Sequence, residues 1–542
     1  MEHTVRMSAT DLAALDESSV KIASAHTRRN LWIGVHALAA GAVVLMACSS
    51  GEPSSNDAVD SGTLSTVADT VPGSSAVSTA ATAVPSSTDS SEPPAIQGIS
   101  FASEVMPILE ASCASCHASG GPGAAHLVLD TAQDAKDNAL YIASSTAIGH
   151  MPPWPAADGD LAFHGDRRLG EQQRLTMLEW FEEGAGLDVA PTTAIVATER
   201  SVASIERDIV MTGAPYKGST DNRDDYRCQI YDPGLESEQY LQGFGLEADR
   251  TEVVHHALLF RAQAATRNAF EGIDAADPTI GWECGGLVGS GSSTDSVQQI
   301  LSWAPGQDPT ILPSDTGLPM QAGDFFIAQI HYHYEPVWDS LAPDESAVVL
   351  DFASPDVLAA AGGPLDPIEL TLYLGPAEIP CSSEQSGPLC DRDAAARALR
   401  GGGGIADGLM RLCGTTPQEY AGMTDGVATA TCDLPAFPGQ IVSVWGHMHE
   451  LGSAYRMVLN PGTPGETVLL DIPKWDFDWQ LNYSPIDDVV LVPGDIIRVE
   501  CTWDRAVAPH GAEPKYVMWA EGTEDEMCYS QIITRPVVQD ES

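Results

Sequence analysis

Three pairs of histidines set on strand-like runs constrain this chain more tightly than any other feature. From about residue 199 onward, short Val, Ile, Leu and Tyr runs alternate with Gly, Pro and Asp turns, as in "IELTLYLGPAEIP" and "DVVLVPGDIIRVECTW". That rhythm predicts antiparallel strands stacked as β-sandwiches. Seven of the 14 histidines lie in this half, and six of the seven fall in pairs: His255 with His256, His331 with His333, and His447 with His449. In a strand, residues i and i+2 project from the same face, so His447 and His449 in "SVWGHMHELG" would stand side by side. Adjacent residues face opposite sides, so His255 and His256 can share one ion only where a bulge or strand end breaks the alternation, and such a break is expected. One strand histidine is usually a hydrogen-bonded group rather than a ligand, but three pairs point to metal. Imidazoles without carboxylate or thiolate suit copper more than magnesium or calcium, and histidine alone leaves zinc open.

A different chemistry comes first along the chain. "SCASCHAS" holds Cys113, Cys116 and His117 in the C-x-x-C-H spacing of c-type haem attachment. Two thiols on one helical turn can add to the haem vinyls while the next imidazole reaches the iron. The plainer reading is a disulfide or redox C-x-x-C beside a chance histidine. "FASEVMPILEASC" and "GEQQRLTMLEWFEEGA" carry apolar residues at helical spacing. Two helices bracketing the motif make residues 98–190 resemble a small class I cytochrome c domain. Met151 in "GHMPPWP" is the expected sixth iron ligand, on a loop that its prolines keep out of a helix. A Met/His pair raises the haem potential and suits electron transfer. His150 is its nearest rival, whereas Met106 and Met177 sit in apolar helical stripes and read as core.

Residues 31–47 form an apolar stretch after Arg28 and Arg29, followed by Cys48. Residues 1–48 resemble a bacterial lipoprotein signal, in which Cys48 would be lipidated; an uncleaved signal anchor is the alternative, and both export the downstream chain. Residues 49–97 are rich in Ser, Thr, Ala, Val and Pro and nearly free of aromatics, which predicts a disordered tether. The net charge of -50 excludes nucleic acid and anionic membrane surfaces as partners, leaving a lipid anchor as the expected membrane contact.

Four ordered segments carry a family resemblance: "EVVHHALLF", "IAQIHYHYEP", "VWGHMHELGSAYR" and "TEDEMCYSQI". Over roughly 199–535 they resemble the type II copper, ascorbate-dependent monooxygenases, which include the peptidylglycine hydroxylating and dopamine β-monooxygenases. The resemblance implies two β-sandwich, jelly-roll-like domains, 199–365 and 366–538. It implies that His255, His256 and His331 hold an electron-storing copper, and that His447, His449 and Met527 hold the copper that activates oxygen. A thioether ligand favours Cu(I) and argues against a zinc hydrolase. His333 matches no ligand and is expected beside the site or at the surface.

The implied reaction is hydroxylation of a C–H bond of a small molecule by dioxygen. Electrons would come from ascorbate, another small reductant or a redox protein, and the haem module would pass them on. Peptide-amidating relatives carry an arginine where Trp445 stands and an asparagine and a tyrosine where Tyr529 and Gln531 stand. Trp445, Tyr529 and Gln531 are therefore expected to line a pocket for a smaller or more apolar substrate. A non-catalytic copper-binding or electron-transfer lipoprotein is the alternative, since fold alone does not imply function.

Cysteine count fits an exported chain. Of 11 cysteines, removing Cys48, Cys113 and Cys116 leaves an even 8. The resemblance pairs Cys228 with Cys284 and Cys501 with Cys528, and leaves Cys381, Cys390, Cys413 and Cys432 unassigned. Much of 381–431 reads as an insertion.

Overall fold

The computed structural model describes residues 98–537, apart from 125, 199–204, 206, 220–223, 285–295, 335–341, 400–401 and 508–512. The signal expected over 1–48, with Cys48, and the tether over 49–97 lie outside the described residues.

The chain opens in helices. Ser100 caps the turn Phe101–Val105, which runs into the helix Met106–Ser112. The short helix Ala114–His117 comes next, with Cys113 at its N-cap. Thr131 and Asp134 close a reciprocal capping box that starts Ala132–Asp137, and Ala139–Ala147 continues from it. In the helix Glu171–Glu182 the apolar stripe puts Met177 and Trp180 against Phe101 and Leu109, forming one small core. Met106 packs against the same core and Met177 lies within it. Both methionines thus sit where their helical stripes direct them.

Strand structure begins at Ile209–Thr212 and is antiparallel almost throughout. One five-stranded sheet runs in the order Trp282–Glu283, Asp224–Tyr231, Phe325–His333, Val254–Ala262, Val297–Trp303. Facing it is a sheet in the order Ile209–Thr212, Ala347–Phe352, Gln239–Glu247, Thr316–Met320, Asp366–Pro367, whose last pair is parallel. Phe244, Leu318 and Leu350 from one sheet and Leu259, Phe326 and Ile330 from the other meet in a shared core, the packing of a β-sandwich. Asp366–Pro367 pairs with Thr316–Gly317, so the first β layer extends two residues past the expected boundary at 365.

The second β unit repeats the plan. Glu369–Gly375, Cys528–Arg535, Gly439–His447 and Val490–Leu491 form one sheet; Val427–Pro435, Ile496–Asp504, Gly452–Leu459 and Thr467–Ile472 form the other. Val427–Pro435 shows a burial alternation of period two, as a strand with one solvated face should. Residues 381–431 add the helices Arg392–Ala398 and Gly404–Leu412, pinned by a bidentate Arg392–Glu378 pair and by disulfides Cys381–Cys390 and Cys413–Cys432.

The helical region does not end cleanly at 190. Trp154, Ala156 and Phe163 are buried in the core of the second β unit rather than among the helices. The described residues form one compact unit.

All eight cysteines outside the C-x-x-C-H motif and position 48 are paired, including Cys228–Cys284 and Cys501–Cys528. Four disulfides indicate an oxidising, extracytoplasmic compartment. No helix among the described residues is long and apolar enough to cross a membrane. Cys501–Cys528 closes 27 residues and ends beside Met527. The double change Cys501→Ala/Cys528→Ala should lower unfolding stability by about 3 kcal/mol, read as a fall in the urea midpoint; an unchanged midpoint would show that the bond restrains nothing.

Candidate functional site

The paired histidine segment sits on the strand Val254–Ala262. Pairing with Phe325–His333 slips between Val254, opposite Tyr332, and His256, opposite His331. His255 is the extra residue of a β-bulge, so both imidazoles of the pair turn to the same side. The expected break in alternation is there. His331 lies directly opposite His256, and the Nδ1 atoms of His255 and His331 come within 3.0 and 3.3 Å of His256 Nδ1.

His331 and His255 are each fixed by the other nitrogen. Asp224 Oδ1 lies 2.9 Å from His331 Nε2 and 3.0 Å from His333 Nδ1, and Asp478 Oδ1 lies 3.2 Å from His255 Nε2. Burial alone would raise the Asp224 pKa, but the bonds from His331 and His333 outweigh it and hold the carboxyl well below the usual carboxylate range. Burial lowers His331 to about 4 against the pull of Asp224, so the ring is neutral at ordinary pH. A neutral His331 that donates Nε2–H to Asp224 keeps its lone pair on Nδ1, toward the other two rings. Tyr226 stacks flat on His331, with centroids 4.2 Å apart, and further restricts the ring.

With a cation between them all three rings would turn lone pairs inward; without one, a proton on His256 Nδ1 bridges to His255 or His331 Nδ1. A metal about 2 Å from each nitrogen spaces such nitrogens roughly 3 Å apart, as in the two separations to His256 of 3.0 and 3.3 Å, and the ligand atoms of all three rings lie within 4.8 Å of one another. These residues fit a trigonal, all-imidazole site. Asp224, His331 and His333 form a second close group, but Asp224 is engaged by both rings, so its chemistry is to orient His331.

The second set stands across a cavity. The strand Gly439–His447 ends at His447; the alternation continues past the strand, so Met448 is buried in the β core while His447 and His449 line the cavity. His447 Nδ1 is bonded to Gln480 Oε1, and His449 Nδ1 is 3.1 Å from Asp525 O. Both acceptors call for Nδ1–H, which leaves each lone pair on Nε2. Burial lowers His447 to about 4 and holds His449 well below its ordinary value, so both are neutral. Met527 lines the same cavity.

Glu526, fully buried, takes the backbone N–H of His449 at 2.9 Å, of Leu451 at 2.6 Å and of Met527 at 3.3 Å, and the Trp503 indole N–H at 2.9 Å. Burial pushes its carboxyl up to about 8 while those donors pull it down. One buried carboxyl group thus ties the segment bearing His449 to the segment bearing Met527.

The two sets are neighbours rather than separate pockets: the rings of His256 and His447 are 5.8 Å apart. The cavity between them encloses about 760 Å³, counting the part open to solvent, and Leu258, Trp303, Leu374, Ile405, Trp445 and Trp519 supply apolar wall. Trp445 stacks on His447, and Tyr529 lines the cavity while its hydroxyl donates to Gln299 Oε1 at 3.0 Å. Gln531 does not line it. Its amide donates to Gln299 O at 3.1 Å, joining the two β units instead of facing a ligand.

In the helical region Cys113 and Cys116 are unpaired, although every other described cysteine is in a disulfide. His117 Nδ1 is 2.8 Å from Leu127 O, which leaves Nε2 as the free lone pair. A Cβ at Gly123 would lie 2.8 Å from the His117 ring, so glycine lets the chain close over the imidazole. Two free thiols and an oriented imidazole fit covalent haem. Met151 follows the helix Ala139–Ala147, half-buried, with its N–H on Ser145 O at 3.2 Å.

Asp224, Asp478, Gln480 and Glu526 were not among the residues expected from sequence. Of these, Glu526 alone stands in a ligand-bearing segment, "TEDEMC", where its acidic surroundings resemble a solvated face.

No family model matches the chain, and no curated protein matches it. Among solved structures, the infectious bursal disease virus VP2 subviral particle aligns at 8% identity over 62% of this chain and 74% of that one, with a TM-score of 0.14. Oxalate decarboxylase from Bacillus subtilis, solved at pH 4.6, aligns at 9% identity over 58% of this chain and 69% of that one, with a TM-score of 0.11. Likenesses this low carry no argument.

With Cu(I) as the probe metal, Asp224→Asn should weaken any binding at His255, His256 and His331 by about 10–100-fold, because a neutral amide oxygen is a poorer acceptor for His331 Nε2–H than the carboxylate. Competitive titration with a Cu(I) chelator measures this, and equal affinity in both proteins would remove Asp224 from the site.

Proposed function

We propose that the chain is an exported copper monooxygenase that hydroxylates a C–H bond of a small organic molecule with dioxygen, with a c-type haem module as its electron entry. One observation carries the reading: the Nδ1 atoms of His255 and His331 both approach His256 Nδ1, while His447 and His449, their own Nδ1 atoms engaged, line one cavity with His256 and Met527. A hard-cation site would offer carboxylates, and a zinc site would not offer a thioether.

Copper held by His447, His449 and Met527 would activate dioxygen, and copper held by His255, His256 and His331 would store and deliver the second electron. The chain's own residues do the rest. Asp224, Asp478, Gln480 and Asp525 fix which imidazole nitrogen is available. Glu526 holds His449 and Met527 to one another. Trp445, Leu374, Ile405 and Trp519 exclude water and offer an apolar surface to the substrate.

No arginine or lysine is among the described residues lining the cavity, and Trp445 occupies the place where amidating relatives carry the arginine that holds a peptide carboxylate. The substrate class favoured is therefore a small molecule without an anionic group and largely apolar, since Glu521 is the one acidic residue among the described residues lining the cavity. Haem attached at Cys113 and Cys116, with His117 and Met151 as axial ligands, would receive electrons from ascorbate, another small reductant or a redox protein. Lipid on Cys48 would hold the enzyme at a membrane.

Gently purified protein should contain two coppers and one haem per chain and consume oxygen in step with product when the right small molecule is supplied. His447→Ala and Met527→Ile should each reduce that uptake to background while leaving the haem spectrum intact. Two bound coppers with no product-coupled uptake from a broad substrate screen would instead favour a non-catalytic electron-transfer role.

A further inference from the structure

Between the strands Thr467–Ile472 and Val490–Leu491 the chain crosses the molecule without regular strand structure. Its segment "WDFDWQ", Trp475 to Gln480, holds three aromatic residues in six, a density that solvent-facing loops rarely show. Three of its side chains meet candidate metal ligands. Phe477 stacks on His255 with centroids 4.4 Å apart and presents an edge to His449 at 6.3 Å. Asp478 holds His255 Nε2, and Gln480 holds His447 Nδ1. The Gln480 amide also donates to Phe477 O at 2.8 Å, which locks the segment onto itself.

Two others face the helical region. Trp479 meets His150 edge-on at 6.5 Å, and Asp476 Oδ2 is 3.6 Å from His150 Nδ1. His150 adjoins Met151, the candidate axial ligand of the haem. An ion pair this exposed contributes little, so the docking must rest on apolar burial. That burial is close by: Trp154 and Phe163 pack on Tyr483 with centroids 5.2 and 5.3 Å apart, and Ala157 N–H donates to Asp471 O at 2.8 Å. The Trp479 indole N–H is shielded from solvent and has no acceptor among the described residues, so the ring is present for its π surface or for a partner outside the polypeptide.

Resting on the functional reading above, we infer that Trp475–Gln480 is the electron path between the haem module and the two histidine sets, entered at Trp479 beside His150 and left at Phe477 on His255. The step is a one-electron transfer: ferrous haem becomes ferric as a cupric ion at His255, His256 and His331 becomes cuprous, and an external one-electron donor restores the haem. Aromatic rings suit this task because they extend electronic overlap across a loop that has no strand ladder. Asp478 and Gln480 make the path's inner end rigid by bonding the ligands themselves.

The test uses the whole chain carrying ferric haem and cupric ion without oxygen; a light flash on a flavin photoreductant delivers one electron to the haem, and the decay of the ferrous haem absorption as the cupric ion takes that electron is followed. Trp479→Leu and Phe477→Leu should each slow haem oxidation at least about 10-fold, which corresponds to about 1.4 kcal/mol on the barrier. Copper content, the haem spectrum and the rate at which dithionite reduces copper directly should stay as in the parent. Haem oxidation at the parent rate in both variants overturns the inference alone. If Phe477→Leu alters the cupric spectrum, Trp479→Leu, whose ring contact is with His150 rather than with either histidine set, decides the matter by itself. A chain that binds no copper or carries no haem overturns the functional reading, and this inference with it.

Discussion

Buried imidazole nitrogens converging on one point are the constraint on which the rest of this structure depends. His255, His256 and His331 bring three Nδ1 atoms together with two separations near hydrogen-bond length, although only one proton can lie between any two of them. Desolvation disfavours a second proton on His331 and His256, lowering His331 to about 4 and His256 well below its ordinary value, so both are neutral imidazoles, the form that ligates a metal. A metal ion held between these rings would draw the three Nδ1 atoms to one centre. Around that centre the fold places a β-bulge at His255, a carboxylate at Asp224 and another at Asp478, each of which serves to aim a ring.

The second histidine set depends on the first for its surroundings. The two β units are joined around the cavity by polar bonds: Tyr226 Oη to Thr523 Oγ1 at 3.0 Å, Asn482 Nδ2 to Ser302 O at 2.6 Å, and Tyr529 and Gln531 to Gln299. These bonds hold His256 near His447 and close apolar walls over the space between them. The arrangement gives the two histidine sets one shared cavity, which is what the proposed two-metal reading needs. The 475–480 segment extends the same logic outward, since a single stretch of chain bonds a ligand from each set and ends against the helical region.

Much of this was legible from sequence because it depends on the backbone alone. Period-two alternation places His447 and His449 on one face wherever the strand sits, and the same rule demanded a bulge at His255. Helical stripes placed Met106 and Met177 in a core, and the even cysteine remainder foretold that the eight would pair. What sequence could not disclose depends on contacts across long separations. Asp478 meets His255 across 223 residues and Asp224 meets His331 across 107, and no local pattern marks either carboxylate. Gln531 was expected at the cavity because a family position suggested it, but its amide finds a backbone carbonyl of the other β unit. The pocket-facing role of Trp445 was legible, whereas the nearness of the two histidine sets follows only from how the β units dock.

Copper K-edge absorption on the reduced protein, loaded with two coppers per chain, tests the central claim most directly. Five imidazoles and one thioether predict nitrogen scatterers at every copper and, on average, half a sulfur per copper, with the sulfur signal disappearing in Met527→Ile. A spectrum with nitrogen or oxygen alone in the parent protein, or a sulfur signal that survives the loss of Met527, would contradict the assignment of the second site.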